Sequence, residues 1–429
     1  MNQQNERNHS LNIVSSTSRR EFLGTALGTT ASMTLLGSIT GRAADAPATP
    51  PVAVSPATPR KIKLGFIGLG GRGAWLAGLF REHGGYEIHA VADYFSHVAE
   101  GQGDALGVDK ARRFSGLSGY KKVLESGVEA LAILDIPYFY PEQAKAAVNA
   151  NCHVYLAKPV ATDVPGCLAI EAAAKQAGQK QLCFHVDYQM PTDPVNIEIA
   201  QRIWDGALGK ILSISTWGCG GGTGMAKETA REKTLENVFQ ELKWCQYIAL
   251  GCDLANFDIH SIDAAMWITR QVPIAAYGQT RICRPNPVGD RHDFLVSNYE
   301  CPNGMTWIHQ SYAIPDVANG LGLVCDIRGE LASAQVCYFG KSYIRGGPKA
   351  HGAVEVANLY AEGAKRNIAT FFQQVIEGRH DNPTVRRAID GTLAAILGRE
   401  AGVRQTRVTM EEILKENKKL EIDLTGLKA

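Results

Sequence analysis

Ile62-Lys63-Leu64-Gly65-Phe66-Ile67-Gly68-Leu69-Gly70-Gly71-Arg72-Gly73 reads as a buried strand that runs into G-x-G-x-x-G and then a helix. Gly68 suits a tight turn, Gly70 lets backbone approach a pyrophosphate, and Gly73 lets the helix pack close to the strand. Leu69, Gly71 and Arg72 complete the loop, and the helix N-terminus offers free N–H groups and partial positive charge to phosphates. Ala90-Val91-Ala92-Asp93 ends a second strand, and Asp93 lies about 20 residues beyond Gly73, where the dinucleotide fingerprint places its acid. That carboxylate suits the adenosine ribose hydroxyls and repels a 2′-phosphate, and Tyr94, Phe95 and Ser96 bring no cation to hold one. NAD is therefore the expected cofactor, ahead of NADP. With 44 Gly in the chain, a chance match to the glycine pattern is not rare. The strand before it, the helix after it and the spaced acid make the case together.

At 429 residues the chain is too long for one ordinary core, so at least two domains are expected. Its composition is that of a soluble globular protein, 45% hydrophobic and 20% charged with a formal net charge of +1. No field of one sign points to nucleic acid or an acidic membrane surface. The 10 Cys all lie between Cys152 and Cys337, without C-x-x-C or a zinc-like spacing, so buried free thiols are expected and no metal site.

The first 46 residues read as a twin-arginine signal peptide. Ser18-Arg19-Arg20-Glu21-Phe22-Leu23-Gly24 carries the motif, an apolar stretch runs from Thr25 to Ile39, and Ala44-Asp45-Ala46 is a cleavage candidate. The apolar stretch is too short for a stable membrane span. Residues 47–60, rich in Ala and Pro, read as a linker. The expected partner is the twin-arginine export machinery and the expected location periplasmic or secreted. A nucleotide loaded before export would be a resident group rather than one exchanged at each turnover.

From Lys61 to Val186 strands and helices alternate as in a doubly wound parallel sheet, so residues 61–186 are expected to form a Rossmann dinucleotide-binding domain. In residues 187–429 strand patterns dominate: Gly209 to Trp217, Ile274 to Arg281, Asp293 to Glu300, Met305 to Ala313, Gly320 to Arg328 and Leu331 to Tyr338. They predict an α/β domain with a large open, mostly antiparallel sheet, helices on one face, and the other face available for assembly as a homodimer or homotetramer. Asn358 to Glu377 and Thr384 to Arg404 read as amphipathic helices, with a charged tail after Thr409. Arg291 and His292 read as a solvated loop, and Gly218 to Gly224 as a mobile loop near a substrate or a plain linker.

Two further segments carry chemistry. In His153-Val154-Tyr155-Leu156-Ala157-Lys158-Pro159, Lys158 follows a strand, which places it at the carboxyl edge of a parallel sheet, where ligands bind. There it can stabilise the alkoxide-like state of a substrate hydroxyl, although a solvated loop Lys reads equally well. In Gly251 to Ile268, Asp253, Asn256, His260 and Asp263 recur at helical spacing on an otherwise apolar helix. Such a stripe lines a wet cavity or is internally bonded. His260 is the natural acid–base group, with Asn256 one turn behind it, and a satisfied core histidine is the alternative. Pro137, Tyr138 and Tyr140 follow one predicted strand, Tyr188 and Gln189 another. Pro137 and Lys158 join the glycine loop and Asp93 as cofactor contacts. Tyr138, Tyr140, Tyr188, Gln189 and Asp263 are the candidate substrate contacts.

The glycine fingerprint, Lys158-Pro159, Gly206-Ala207-Leu208-Gly209-Lys210-Ile211, the His260-x-x-Asp263 helix and Gly398-Arg399-Glu400 in this order resemble the Gfo/Idh/MocA oxidoreductase family, in particular its exported members. The resemblance covers nearly all of the chain after Lys61. It implies a Rossmann domain followed by an open-sheet domain, a nicotinamide cofactor, a sugar or cyclitol substrate, and the family Lys and His at Lys158 and His260. Three positions depart from the family pattern. Ala157 replaces the Glu of Glu-Lys-Pro, Asn256 replaces an Asp four residues before the His, and Tyr140 stands where a His is common. The expected activity is oxidation of a sugar or cyclitol hydroxyl with tightly bound NAD. Redox-neutral, NAD-dependent glycoside cleavage and a non-catalytic carbohydrate-binding relic are the alternatives.

Overall fold

Strand β1 (Ile62–Ile67), helix α1 (Gly71–His83) and strand β2 (Tyr86–Asp93) form the first crossover of a six-stranded sheet. The computed structural model describes residues 60–219, 256–283, 290–312 and 322–429. Residues 57–429 cluster as one unit. The expected signal peptide, nearly all of the expected linker and most of the Gly218 to Gly224 loop lie outside the described residues; Gly218 and Cys219 end a strand.

The first sheet continues through α2 (Ser96–Leu106), β3 (Arg113–Ser115), α3 (Gly119–Glu125), β4 (Ala130–Ile133), α4 (Tyr140–Asn149), β5 (His153–Ala157), α5 (Val164–Gln179) and β6 (Phe184–Asp187). Its order is β3-β2-β1-β4-β5-β6, with every pairing parallel. The chain reverses direction across the sheet between β1 and β4, and that switch point opens a crevice at the carboxyl ends of the strands. The strands are buried on both faces, as in β4, where all four residues are buried, because helices cover both sides. Asp163 caps α5 by accepting from Gly166 N–H at 2.8 Å, which fixes the chain just past Lys158.

The second domain runs through α6 (Pro194–Trp204), β7 (Ile211–Cys219), α7 (Ile259–Thr269), β8 (Ala275–Arg281), β9 (Phe294–Glu300), β10 (Thr306–Tyr312), β11 (Gly322–Gly329), β12 (Ser333–Cys337), β13 (Gly340–Arg345) and β14 (His351–Val356). Helices α8 (Leu359–Glu377) and α9 (Pro383–Arg404), strand β15 (Val408–Thr409) and helix α10 (Met410–Glu416) follow. The nine-stranded sheet is ordered β14-β13-β12-β11-β7-β10-β9-β8-β15 and is antiparallel except for β7 against β10. Burial alternates along it, as along β10, where Trp307, His309 and Ser311 point inward. Helix α9 joins the sheets. Its Thr392 hydroxyl accepts from Val160 N–H at 3.3 Å, and its Ala394 carbonyl accepts from Tyr299 O–H at 2.9 Å.

The architecture agrees with the sequence expectation, with local differences. Helix α2 and strands β3, β13 and β14 were not expected. The charged tail after Thr409 opens as a helix with a capping box, Thr409 and Glu412 bonding reciprocally. Arg291 is buried rather than solvated, and His292 Nδ1 lies 3.1 Å from the Thr280 hydroxyl. Of the eight described cysteines, all but Cys283 are buried, and Cys152, Cys167, Cys183, Cys301, Cys325 and Cys337 are buried free thiols. Among the described residues no helix is long and apolar enough to cross a membrane, and no cluster of metal-ligand side chains occurs.

Candidate active site

The glycine loop is shaped as a phosphate cradle. Gly68 has φ +79°, and a Cβ there would lie 2.5 Å from the Asp135 backbone nitrogen. A Cβ on Gly73 would lie 1.8 Å from the Gly68 carbonyl oxygen, so both turn and helix require glycine. Helix α1 starts from Gly70 with no side-chain cap, which leaves its first amides directed at the crevice, and the space beside Gly71 is open. The acid at the end of β2 sets the loop: Asp93 accepts from Leu69 N–H at 2.8 Å and from Phe95 N–H at 3.0 Å. Buried Pro137 lies in the loop after β4, across the switch point from the glycine loop. These residues fit a dinucleotide: an uncapped helix end for the pyrophosphate and a carboxylate at the end of β2 for the ribose.

Lys158, Arg72, Asp187 and His260 meet further along the same edge. Arg72 reaches from the first turn of α1 to Asp187 at the end of β6, Nη2 to Oδ2 at 2.6 Å. Asp187 is fully buried and also accepts from Gln189 Nε2 at 3.0 Å and Asn367 Nδ2 at 2.8 Å. Burial opposes the Arg72 charge, but Asp187 and the Tyr360 hydroxyl outweigh it and keep the guanidinium firmly protonated. Burial, reinforced by the Arg72 charge, pulls the Lys158 ammonium down to about 7, with Asp187 and Asp258 pulling the other way. His260 is buried, and burial together with the Lys158 and Arg72 charges holds its imidazole well below the ordinary histidine range. His260 Nδ1 has no hydrogen-bond partner among the described residues. The site thus combines an amine poised near neutrality with a neutral imidazole.

The resemblance implied a carboxylate at position 157. Ala157 instead pairs in register with Asp187 on β6, so the carboxylate of this site comes from the neighbouring strand. Asp187 was not among the sequence candidates, and neither were the aromatic residues around Arg72. The Arg72 guanidinium lies 5.1 Å from the Tyr360 ring centroid and 5.8 Å from that of Trp75, and those two rings stack at 4.6 Å. The His260 ring lies 5.0 Å from Tyr338 and 6.1 Å from Tyr188.

Several candidates take other positions than the spacing suggested. The expected single helix from Gly251 breaks: α7 begins at Ile259, Asn256 precedes it, and Asp253 lies outside the described residues. Asn256 and His260 therefore do not share one regular helix face, and Asn256 meets the site through its backbone carbonyl, which accepts from Lys158 Nζ. Asp263 is fully buried and holds Arg387 at 2.6 Å, and the Arg387 guanidinium lies 5.9 Å from the Tyr188 ring. Gln189 donates to Asp187 beneath α8. Tyr140 is buried at the start of α4, where burial, with Asp135 adding to it, raises its hydroxyl pKa.

Behind Lys158 lies a buried polar chain that the sequence did not reveal. Asp258 Oδ2 is 3.4 Å from His309 Nε2, His309 Nδ1 is 2.9 Å from the Thr216 hydroxyl, and Trp307 Nε1 donates to that hydroxyl at 2.7 Å. It anchors the turn before α7 to strands β7 and β10 and sets a negative charge near Lys158.

Residues 62–187 match the model of the Gfo/Idh/MocA family, described as an oxidoreductase family with an NAD-binding Rossmann fold. Among solved structures, a levoglucosan dehydrogenase in complex with NADH is similar at 17% identity and TM-score 0.66, covering 82% of this chain and 99% of its own. A myo-inositol 2-dehydrogenase from Lactobacillus plantarum is similar at 19% identity and the same TM-score, covering 82% and 99%. A levoglucosan dehydrogenase with NADH and levoglucosan gives 15% and 0.67, covering 82% and 100%. A search among curated proteins finds no match. Glycine cradle, Asp93 and family match agree on an NAD-binding Rossmann fold over residues 62–187, and the similar solved structures share the fold of the chain.

Proposed function

We propose that this protein oxidises a secondary hydroxyl of a sugar or cyclitol, that NAD stays bound through many turnovers, and that it works after twin-arginine export. The observation that carries the chemistry is Lys158, held near neutrality at the carboxyl edge of the sheet beside a neutral His260. Bound NAD supplies the acceptor for the two electrons removed from the carbinol carbon. Lys158 Nζ, unprotonated in a large fraction of molecules near pH 7, takes the hydroxyl proton. Neutral His260 hydrogen-bonds the same hydroxyl without adding a second cation. Arg72, fixed by Asp187, supplies the permanent positive charge that favours an alkoxide-like oxygen. Trp75, Tyr338 and Tyr360 provide rings suited to the C–H faces of a sugar. The inositol and levoglucosan dehydrogenases among the similar structures support a polyol substrate.

Export rests on Arg19-Arg20 and the apolar stretch that follows. Assembly into a homodimer or homotetramer would use the outer face of the large sheet, where Tyr277, Asn298, Ile308 and Ser215 form one row across four strands. The test of function is the near-ultraviolet absorbance of reduced nicotinamide when a panel of sugars and cyclitols is added to protein that received no cofactor. A rise with at least one polyol is expected. No rise with any of them, also after NAD is supplied, overturns the proposal.

A further inference from the structure

The segment after α10 crosses the carboxyl edge of the Rossmann sheet. It is rooted at Glu416, which pairs with Arg404 at 2.5 Å. Leu420 N–H donates to Asp163 Oδ2 at 2.8 Å, and Ile422 N–H donates to the Tyr138 hydroxyl at 3.2 Å. Lys428 N–H donates to the Tyr94 hydroxyl at 3.1 Å, and the Lys428 carbonyl accepts from Leu117 N–H at 2.9 Å. Asp163 follows β5, Tyr138 follows β4, Tyr94 follows β2 and Leu117 follows β3. The anchors therefore follow the order of the strands in the sheet, and the one strand passed without an anchor is β1, whose loop is the glycine cradle.

The span over β1 has slack. From β4 to β2 is two strand spacings, about 9–10 Å. The chain from Ile422 to Lys428 reaches about 20 Å when extended. The surplus is taken up in a turn, Leu427 N–H to the Leu424 carbonyl at 3.1 Å, with Gly426 at φ +86° and open space around it. Both hydroxyl anchors belong to residues that directly follow cofactor candidates: Tyr94 follows Asp93, and Tyr138 follows Pro137.

We infer that residues 418–428 are a strap over the adenosine half of the dinucleotide site, arching across the β1 loop and slowing departure of the cofactor. A ligand lying on the glycine cradle with its ribose at Asp93 would have the arch between Ile422 and Lys428 as its outer wall. Each of these anchors is a backbone amide or carbonyl of the strap, held on the Rossmann side by Asp163, Tyr138, Tyr94 and the Leu117 amide. The inference deepens the reading that the cofactor is resident, and it names the element that makes it so.

The experiment loads the full chain with NADH, chases with excess NAD, and follows loss of the bound-nicotinamide fluorescence. It is repeated on a chain ending at Asn417 and on the double variant Tyr94→Phe/Tyr138→Phe. Release about tenfold faster or more is expected from the shortened chain, and several-fold faster from the double variant, which loses only two hydroxyl anchors. Equal release rates from all three overturn the strap. If the shortened chain does not fold, the double variant decides, since it removes two oxygens and no backbone. The absolute rate of the full chain separately tests residence: release within seconds contradicts a resident cofactor, while the ratio between chains still decides the strap.

Discussion

Replacing Lys158 with Met should stabilise the protein and abolish its activity, and the stabilisation should vanish at high pH. The fall of the Lys158 ammonium from 10.5 to about 7 is worth about 5 kcal/mol, at about 1.36 kcal/mol per pH unit. Because the folded value lies below the unfolded one, the unfolded chain holds the extra proton between about pH 7 and 10.5. The stability contributed by this site therefore rises with pH across that window, and its full cost is present below about pH 7. Lys158→Met removes that cost but leaves the half-buried Asn256 carbonyl without its donor, a loss of about 1–3 kcal/mol. The net gain is about 2–4 kcal/mol at pH 6, shrinking and then reversing as pH approaches 10. Urea unfolding of both proteins at a series of pH values measures it, through the midpoint at constant slope. A variant that is less stable at pH 6, or a difference that does not change with pH, would refute the claim that the fold holds this amine against its solvation.

Three other outcomes follow from the same geometry. Gly73→Ala places a methyl 1.8 Å from the Gly68 carbonyl oxygen, so it should abolish NAD binding by calorimetry at a stability loss seen in the same sample's melting curve. His260→Phe keeps a ring but loses the hydrogen bond to the reacting hydroxyl, and turnover should fall by about 10–10²-fold with NAD affinity unchanged in an equilibrium titration. Asp258→Asn removes a negative charge that raises the Lys158 pKa, so the acidic limb of the turnover–pH profile should move to lower pH.

The parts legible in sequence were those whose chemistry is local. The glycine loop, Asp93 and the strand ends fix the Rossmann domain because each lies within a few residues of the turn it shapes. Lys158 was legible because a strand end in a parallel sheet determines which edge a side chain reaches. Asp187, Tyr338 and Tyr360 were not, because three distant elements bring them to Arg72 and no spacing records that. The helix at His260 reads as one unbroken element in sequence because the apolar residues around Phe257 keep helical spacing through the break. Helix α2 hid behind Gly101 and Gly103, which lower helix propensity. Strands β13 and β14 hid because β14 is mostly exposed and lacks a buried alternation. The last helix does carry a local signal: Thr409-Met410-Glu411-Glu412 is a capping box in plain sequence.

The central claim is that a polyol carbon gives its hydrogen to NAD seated on the Gly68–Gly73 cradle. The most direct measurement incubates the protein with a substrate sugar deuterated at its carbinol carbons, denatures it, and weighs the released dinucleotide by mass spectrometry. The account predicts reduced dinucleotide carrying one deuterium, in step with the chain concentration. Dinucleotide that stays oxidised and unlabelled while the sugar is consumed, or a protein that consumes the sugar and yields no dinucleotide, would contradict it.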